Sequence, residues 1–476
     1  MLKAKAKNAI FWSMFSTVGG IFIQLVYGII MARLLTPNDF GLVAMAMVII
    51  TISKSLVDSG FYQAIIQKKE VSRDQLSAVL KFNLILGLTI SSSIILFSNN
   101  LAVFFGEQNL TEILCILAFT ILLEAFSLAQ RAVLVKELQF KLISKIEIFS
   151  IFFSSCFGIL LALNDFGVFS LVFKTTLQII LTTSLYWTLH PLKINFFSSF
   201  KFLKEFFNFG SKVFIADQIE IISNQITFGL IGKRFDSSDL GFFTKAFQYH
   251  VLLSQTAIVS INKVVFPTLS KVQNDNEKLR NGYRVLLKMS AFFILPLMLI
   301  SFINGKEMIL ILLGDQWEGA IPYFRILCLG GVFYPFTVFN LNIIKVKGLG
   351  TLYLKTCLIS KGIIIPSVLI GLNFGILGVA IALVSQQIFS ATVNSFYAGK
   401  LIDYSFTKQI KDVLPFFISA ILALLPTLFI YSLLANSLFI YSITLTSFLF
   451  ISIYLCSLFI LAKSELILIY KSIARK

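Results

Sequence analysis

The sequence predicts an all-α polytopic membrane protein of about 14 transmembrane helices, arranged as two six-helix lobes in a parallel repeat plus a C-terminal helix pair. Three observations lead there. Hydrophobic residues make up 57% of the 476-residue chain, charged residues only 13%, and mean hydropathy is +0.88. A soluble chain could not hide that much apolar surface. The apolar residues recur in stretches of roughly 20, the length that crosses a bilayer core. Basic residues gather in connectors on alternate sides of those stretches, as orientation control requires. The stretches are continuously apolar rather than alternating, which excludes a β-barrel.

The spans fall near 8–32, 41–66, 78–98, 110–130, 146–163, 167–190, 206–231, 240–262, 285–303, 320–344, 354–371, 376–399, 413–434 and 438–462. Lys3, Lys5 and Lys7 precede the first and imitate a secretory leader. The apolar run from Asn8 to Met31 is too long for a leader's core, so it reads as an uncleaved first span. With the N-terminus inside, inner connectors then carry Lys68, Lys69 and Arg73, next Arg131, Lys136, Lys141 and Lys145, and next Lys193, Lys201, Lys204 and Lys212. Lys263, Lys271, Lys278, Arg280, Arg284 and Lys288 follow, then Lys345, Lys347 and Lys355, then Lys400, Lys408 and Lys411. The tail adds Lys463, Lys471, Arg475 and Lys476. About 30 basic residues thus lie inside, against Arg33, Lys233, Arg234 and Lys306 outside, and both termini are expected in the cytoplasm. The outer connectors are short, the longest being 99–109 and 304–319, with no room for an extracytoplasmic domain. The inner connectors 191–205 and 263–284 are longer, and the latter is polar enough for a surface helix or loop.

An internal repeat defines the lobes. RLLTPNDFGL from Arg33 aligns with KRFDSSDLGF from Lys233, setting Asp39 against Asp239 and Gly41 against Gly241 at a shift of 200 residues. NDFGVFSLV from Asn164 echoes LNFGILGVA from Leu372. The matches fall at equivalent outer turns six spans apart, and an even number preserves orientation. The expected units are an N-lobe over 1–190, a C-lobe over 206–400 and a helix pair over 412–462. Asp39 and Asp239 are placed to cap the helices that follow, and the two glycines to allow close approach.

Charges inside the spans are the functional candidates, because each costs about 2.5–3.5 kcal/mol at the bilayer centre unless it faces protein or water. Lys54, Lys174, Lys245, Arg325 and Lys361 are the basic candidates; Asp58, Glu124, Asp217 and Glu220 are the acidic ones. Lys81 and Glu147 lie near enough to the inner interface to snorkel. Lys245 and Arg325 stand at outer span ends, open to snorkelling or to lining a lumen. Lys54 and Asp58 are four residues apart on one helix and can pair with each other. Asp217 and Glu220 share a face, so one can hold a proton or sodium ion, or neutralise a lysine of span 2 or 11. Glycines Gly19, Gly20 and Gly28 and prolines Pro296, Pro335 and Pro366 mark spans suited to bending.

Other classes are excluded. A net charge of +17 would suggest nucleic acid in a soluble protein, but topology accounts for it here. Only His190 and His250 are available for a metal, and Cys115, Cys156, Cys328, Cys357 and Cys456 lie in apolar segments without paired spacing. No metal or cofactor is expected. No G-x-x-x-x-G-K-[ST] loop is present for ATP. The outer connectors bring Glu107, Asp315 and Glu318 but too little chain for a polymerase or glycosyltransferase site, so transport rather than an enzyme is the reading.

The run ARLLTPNDFGLVAMAMVI followed by DSGFYQAIIQKKE resembles the opening of Wzx-type polysaccharide and O-antigen flippases. The branch resembled is the colanic-acid-exporter-like one of the multidrug/oligosaccharidyl-lipid/polysaccharide exporter superfamily. The likeness continues through LVKELQFKLISKIEI, DLGFFTKAFQ, VVFPTLSKVQNDNEKLRNGYR and LLGDQWEGAIPYFRIL, covering most of the chain to about residue 400. It implies a MATE/MurJ-like fold in a bacterial inner membrane. It also implies export of undecaprenyl-diphosphate-linked oligosaccharide from inner to outer leaflet, for O-antigen, capsule or exopolysaccharide assembly. Partners would be that lipid-linked substrate, membrane lipids and polysaccharide assembly enzymes, with no nucleic acid. Lys54, Lys174, Lys361, Lys245 and Arg325 would then contact the diphosphate or acidic sugars. Membrane voltage, or proton or sodium antiport through Glu124, Asp217 or Glu220, would drive the cycle. A peptidoglycan-precursor flippase, a drug/cation antiporter and a membrane polymerase or ligase remain as alternatives.

Overall fold

Long apolar segments have no water to satisfy their backbone, so they must satisfy it internally as helices. Among the described residues every regular element is indeed helical. The structure, a computed structural model, describes residues 2–58, 60–68, 70–195, 198–270, 275–434, 438–463 and 465–467, without the side chains of 2–10, 202, 204–213, 216 and 255–270. The side chains of Lys3, Lys5, Lys7, Lys204, Lys212 and Lys263, together with Lys69, Lys271 and the tail residues Lys471, Arg475 and Lys476, lie outside the described residues. The chain divides into two compact units, Met1–Gly241 and Phe242–Lys476.

The first unit holds α1 (Leu2–Leu34), α2 (Pro37–Asp58), α3 (Phe61–Gln67), α4 (Arg73–Phe105), α5 (Leu110–Lys136), α6 (Phe140–Leu163), α7 (Val168–Leu189) and α8 (Lys204–Arg234). It ends in the first turn of α9 (Ser237–Ser270). α5 is central, packing on α2, α4 and α7, while α2 also packs on α8 and α1 on α6. Local chemistry sets the boundaries. Ser72 and Gln75 close a capping box at the start of α4, and Gly106, at φ +79°, ends it. The span expected at 41–66 falls within one apolar span, Pro37–Gln67, whose helix is interrupted: α2 stops at Asp58, and Gly60, at φ +73°, precedes α3.

The repeated turns meet one another. A Cβ on Gly41 would lie 1.7 Å from the Ser237 carbonyl oxygen, and one on Gly241 would lie 1.9 Å from that of Pro37. The Ser237 hydroxyl also donates to Asn38. At Asp39 the expected cap forms, its carboxylate accepting from the Thr36 amide (2.9 Å) and hydroxyl (2.7 Å). Asp239 makes no matching bond among the described residues. Asp236 takes the place of Thr36 there, so the hydroxyl donor is lost and a second carboxylate repels the first.

The second unit continues with α10 (Asn276–Ile303), α11 (Gly305–Leu313), α12 (Ile321–Gly331), α13 (Tyr334–Val346), α14 (Gly350–Gly362), α15 (Ile364–Leu372), α16 (Gly375–Leu401), α17 (Phe406–Leu433) and α18 (Phe439–Leu461). The polar stretch after residue 275 is no separate loop. Asp275 accepts from the Lys278 amide and starts α10 nine residues before the expected span. That backbone bond, with the Lys278 ammonium, holds the Asp275 carboxyl below its ordinary range. α12 and α13 bend by 41° at a break before Pro335. Charges fasten α10 to the C-terminal pair. Arg284 donates to both Asp412 oxygens at 2.7 and 2.9 Å, and buried Lys288 reaches Asp412 at 3.2 Å and Glu465 at 2.8 Å.

Among the described residues eleven helices are long and apolar enough to cross a membrane, or twelve if the bent pair is one span. The expected fourteen exceed this. The segments at 206–231 and 240–262 fall on α8 and α9, which are helical but, where described, do not meet that length and apolarity.

Two substitutions probe these contacts. Gly41→Ala should cost at least about 3 kcal/mol, because the added methyl meets backbone rather than a movable side chain. It will show as a lowered unfolding temperature in detergent, while Gly350→Ala, with nothing within 4 Å of its Cβ, should leave that temperature unchanged. Glu465→Gln should cost about 2 kcal/mol in the same assay by removing one of the two anions that neutralise Lys288.

Candidate functional site

The site lies where α2 gives way to α3. α2 carries Lys54, Ser55 and Asp58 to the break, where the Asp58 carboxylate accepts from the Tyr62 amide at 3.2 Å. α3 adds Tyr62 and Gln63 to the same space. Around it lies a cavity of about 620 Å³, lined from α2, α3, α5, α6, α7 and α8. This is within the 300–1,000 Å³ range of small-molecule sites.

Charge is concentrated in its wall. Lys54 Nζ lies 2.8 Å from the Glu124 carboxylate on α5, with side chains 18% and 41% exposed. It pairs across helices rather than with Asp58 on its own. Arg131 on α5 reaches Glu147 on α6 at 3.3 Å, and Glu147 also accepts from the Ser16 hydroxyl at 3.0 Å. Lys174 on α7 donates to Gln178, a wall residue, at 2.7 Å and rests over the Tyr27 ring at 5.1 Å. Gly158 makes room for this pair: a Cβ there would stand 2.8 Å from that of Lys174 and 3.0 Å from the Tyr27 hydroxyl. A smaller pocket of about 160 Å³ shares Ser55, Asp58 and Ile221 with the cavity and adds Asp217, Gln218 and Glu220 from α8. Gln63 spans the two, donating to Asp217 at 3.2 Å.

The structure therefore brings together Lys54, Asp58, Glu124, Asp217 and Glu220, with Lys174 one side chain behind. The other three candidates lie in the second unit, each in its own setting. Lys245, 3% exposed, has its ammonium 5.9 Å from the Trp317 ring centre. Arg325 donates to the Ile303 carbonyl (3.1 Å) and the Tyr431 hydroxyl (2.8 Å), which in turn donates to Glu307 (2.9 Å). Lys361 occupies the last turn of α14, just before α15 begins. Lys81 reaches the Ser198 carbonyl.

Sequence reasoning missed Arg131 and placed Glu147 at the interface. Ending the fourth span at residue 130 sent Arg131 to a connector, whereas α5 runs to Lys136. The available signal was helical spacing, since Arg131 follows Glu124 by two turns and so shares its face. Among the described residues no group of three or more His, Cys, Asp or Glu side chains is arranged to hold a metal ion.

Apolar spans around a charged cavity define an integral membrane protein of the transporter class. Residues 30–322 match the polysaccharide biosynthesis protein family, and the chain belongs to it. Over 443 residues it is 24% identical to the lipopolysaccharide biosynthesis protein WzxC of Escherichia coli, covering 90% of this chain and 87% of that one. It is likewise 24% identical over 406 residues to the succinoglycan biosynthesis transport protein ExoT of Rhizobium meliloti, covering 85% and 80%. Its fold is similar to that of the lipid II flippase MurJ in an inward closed conformation, with TM-score 0.76 and 18% identity over 96% of this chain and 99% of that one. These relatives set it among Wzx-type transporters and not among enzymes.

The Lys54–Glu124 pair should behave as a coupled unit. Lys54→Gln and Glu124→Gln alone should each destabilise by about 1–2 kcal/mol, because each leaves a part-buried charge without its partner. The double variant should recover at least half the summed loss, read as unfolding temperatures in one detergent.

Proposed function

We propose that this protein moves an undecaprenyl-diphosphate-linked oligosaccharide from the inner to the outer leaflet of a bacterial inner membrane, with both termini in the cytoplasm. The observation that carries the reading is the charge-lined cavity among apolar helices in a member of a polysaccharide biosynthesis family. A diphosphate and a set of sugar hydroxyls cannot cross hydrocarbon, since every unpaired polar group costs several kcal/mol and each charge far more. The cavity replaces their hydration while the lipid tail stays in the bilayer.

The roles divide by chemistry. Among the described residues Lys174 has no carboxylate within ion-pair reach, so its ammonium is the cation most available to a diphosphate. Lys54 is available by exchange of Glu124 for the incoming anion. Lys245, Arg325 and Lys361 are the further cations of the path, and two lobes opening alternately would deliver the head group outward. Each unit charge crossing the full field is worth about 2.3 kcal/mol per 100 mV. With the interior negative, outward movement of an anionic head group is favoured. Proton or sodium antiport is the second reading, favoured by the pocket that sets Asp58 beside Asp217 and Glu220.

In proteoliposomes holding an undecaprenyl-diphosphate oligosaccharide, a membrane-impermeant sugar-modifying reagent should reach protein-delivered head groups. Lys54→Gln, Lys174→Gln and Lys361→Gln should slow exposure by about tenfold or more, one lost charge contact being worth about 1.5–3 kcal/mol. Lys408→Gln, in an exposed first turn of α17, should not. No exposure under voltage or ion gradients would refute the reading.

A further inference from the structure

Resting on that reading, we propose that the first unit's cavity favours glycans carrying a free amine and disfavours those carrying uronic acids. The inference starts from which charges are already committed. Among the described residues two cations line the cavity, and each holds a carboxylate, Lys54 at 2.8 Å from Glu124 and Arg131 at 3.3 Å from Glu147. Asp58 completes the wall. Its carboxylate accepts from one backbone amide and forms no ion pair among the described residues. The adjoining pocket adds Asp217 and Glu220 on the side of Asp58. Among the described residues the cavity wall therefore carries more anion than cation, Asp58, Glu124 and Glu147 against Lys54 and Arg131, and each of these cations is already paired.

A sugar carboxylate entering this space meets like charge and must break an existing pair before it gains a partner. A sugar ammonium meets Asp58 directly and can share Glu124, whose side chain is 41% exposed. The site also has unused hydrogen-bonding capacity. Tyr186 lines the cavity and is 1% exposed, yet its hydroxyl has no partner among the described residues. Buried polar atoms are normally paired, so an unmet hydroxyl at a cavity wall marks a place for a polar ligand. Gln63 Oε1 is a second such atom in the same wall. Hydroxyls and an amine on one sugar ring would satisfy them together, while the diphosphate goes to Lys174 behind Gln178.

The test uses three undecaprenyl-diphosphate trisaccharides that differ in one ring substituent: a free amine, its N-acetyl form or a carboxylate. Initial rates of head-group exposure are measured in proteoliposomes of the full chain. The amine glycan should move about tenfold faster than the uronate, the size expected of one charge-assisted contact. Asp58→Asn should bring the amine-to-uronate ratio toward one. Glu124→Gln, which releases Lys54, should lower the ratio further by admitting the uronate. Because ratios are compared, a loss of folded protein cancels. A uronate rate equal to or above the amine rate in the wild type would overturn the preference and leave the flippase reading standing. Failure of all three glycans to move would overturn both.

Discussion

The cost of a charge in hydrocarbon governs this molecule. It confines basic residues to connectors and forces each charge left within a span to find a partner or water. The two units answer that demand differently. In the second, Lys288 is closed in by Asp412 and Glu465, with its side chain 4% exposed, and Arg284 and Tyr404 fill the remaining valences of Asp412. Such a cluster can fasten helices but cannot receive a ligand. In the first unit the Lys54–Glu124 pair borders a cavity with both partners partly exposed. The same electrostatic necessity yields a fastening in one place and a site in the other, and access is the difference.

Backbone breaks follow the polar groups. α2 ends at Asp58 with a left-handed glycine two residues on, and α14 ends at Gly362 one residue after Lys361. Irregular backbone at membrane depth is tolerated only where protein or a water-filled space satisfies it. At Asp58 the carboxylate itself takes up an amide freed by the break.

How much of this could be read beforehand depended on range. Apolar run length and the inward bias of lysine are local and additive, so the helical class and most span positions were legible. The 200-residue repeat was legible as matched letters, but not as the reciprocal contact in which Gly41 meets Ser237 and Gly241 meets Pro37. Charge partners were the least accessible. Lys54 and Asp58 satisfy a helical pairing rule, yet Lys54 binds a carboxylate 70 residues away because the packing of α2 on α5 decides the matter. Arg131 was lost for a related reason. An average bilayer thickness ends a span after about 20 residues, whereas α5 continues for 27 and takes its arginine to the wall.

Pairing also bears on how a carrier can work. A cavity of uncommitted cations would hold a diphosphate strongly, and what is held strongly is released slowly. Where the cation already has a carboxylate, binding becomes an exchange whose free energy is the difference between two ion pairs rather than the whole of one. On the proposed reading Glu124 would reclaim Lys54 when the substrate leaves, so that lysine would not cross the membrane as an uncompensated charge. Lys174, held by an amide and an aromatic face, stands outside that exchange and on the same reading would serve as a positive anchor. Moderate affinity at the pairs and a fixed anchor beside them together favour a substrate that is bound, carried and let go.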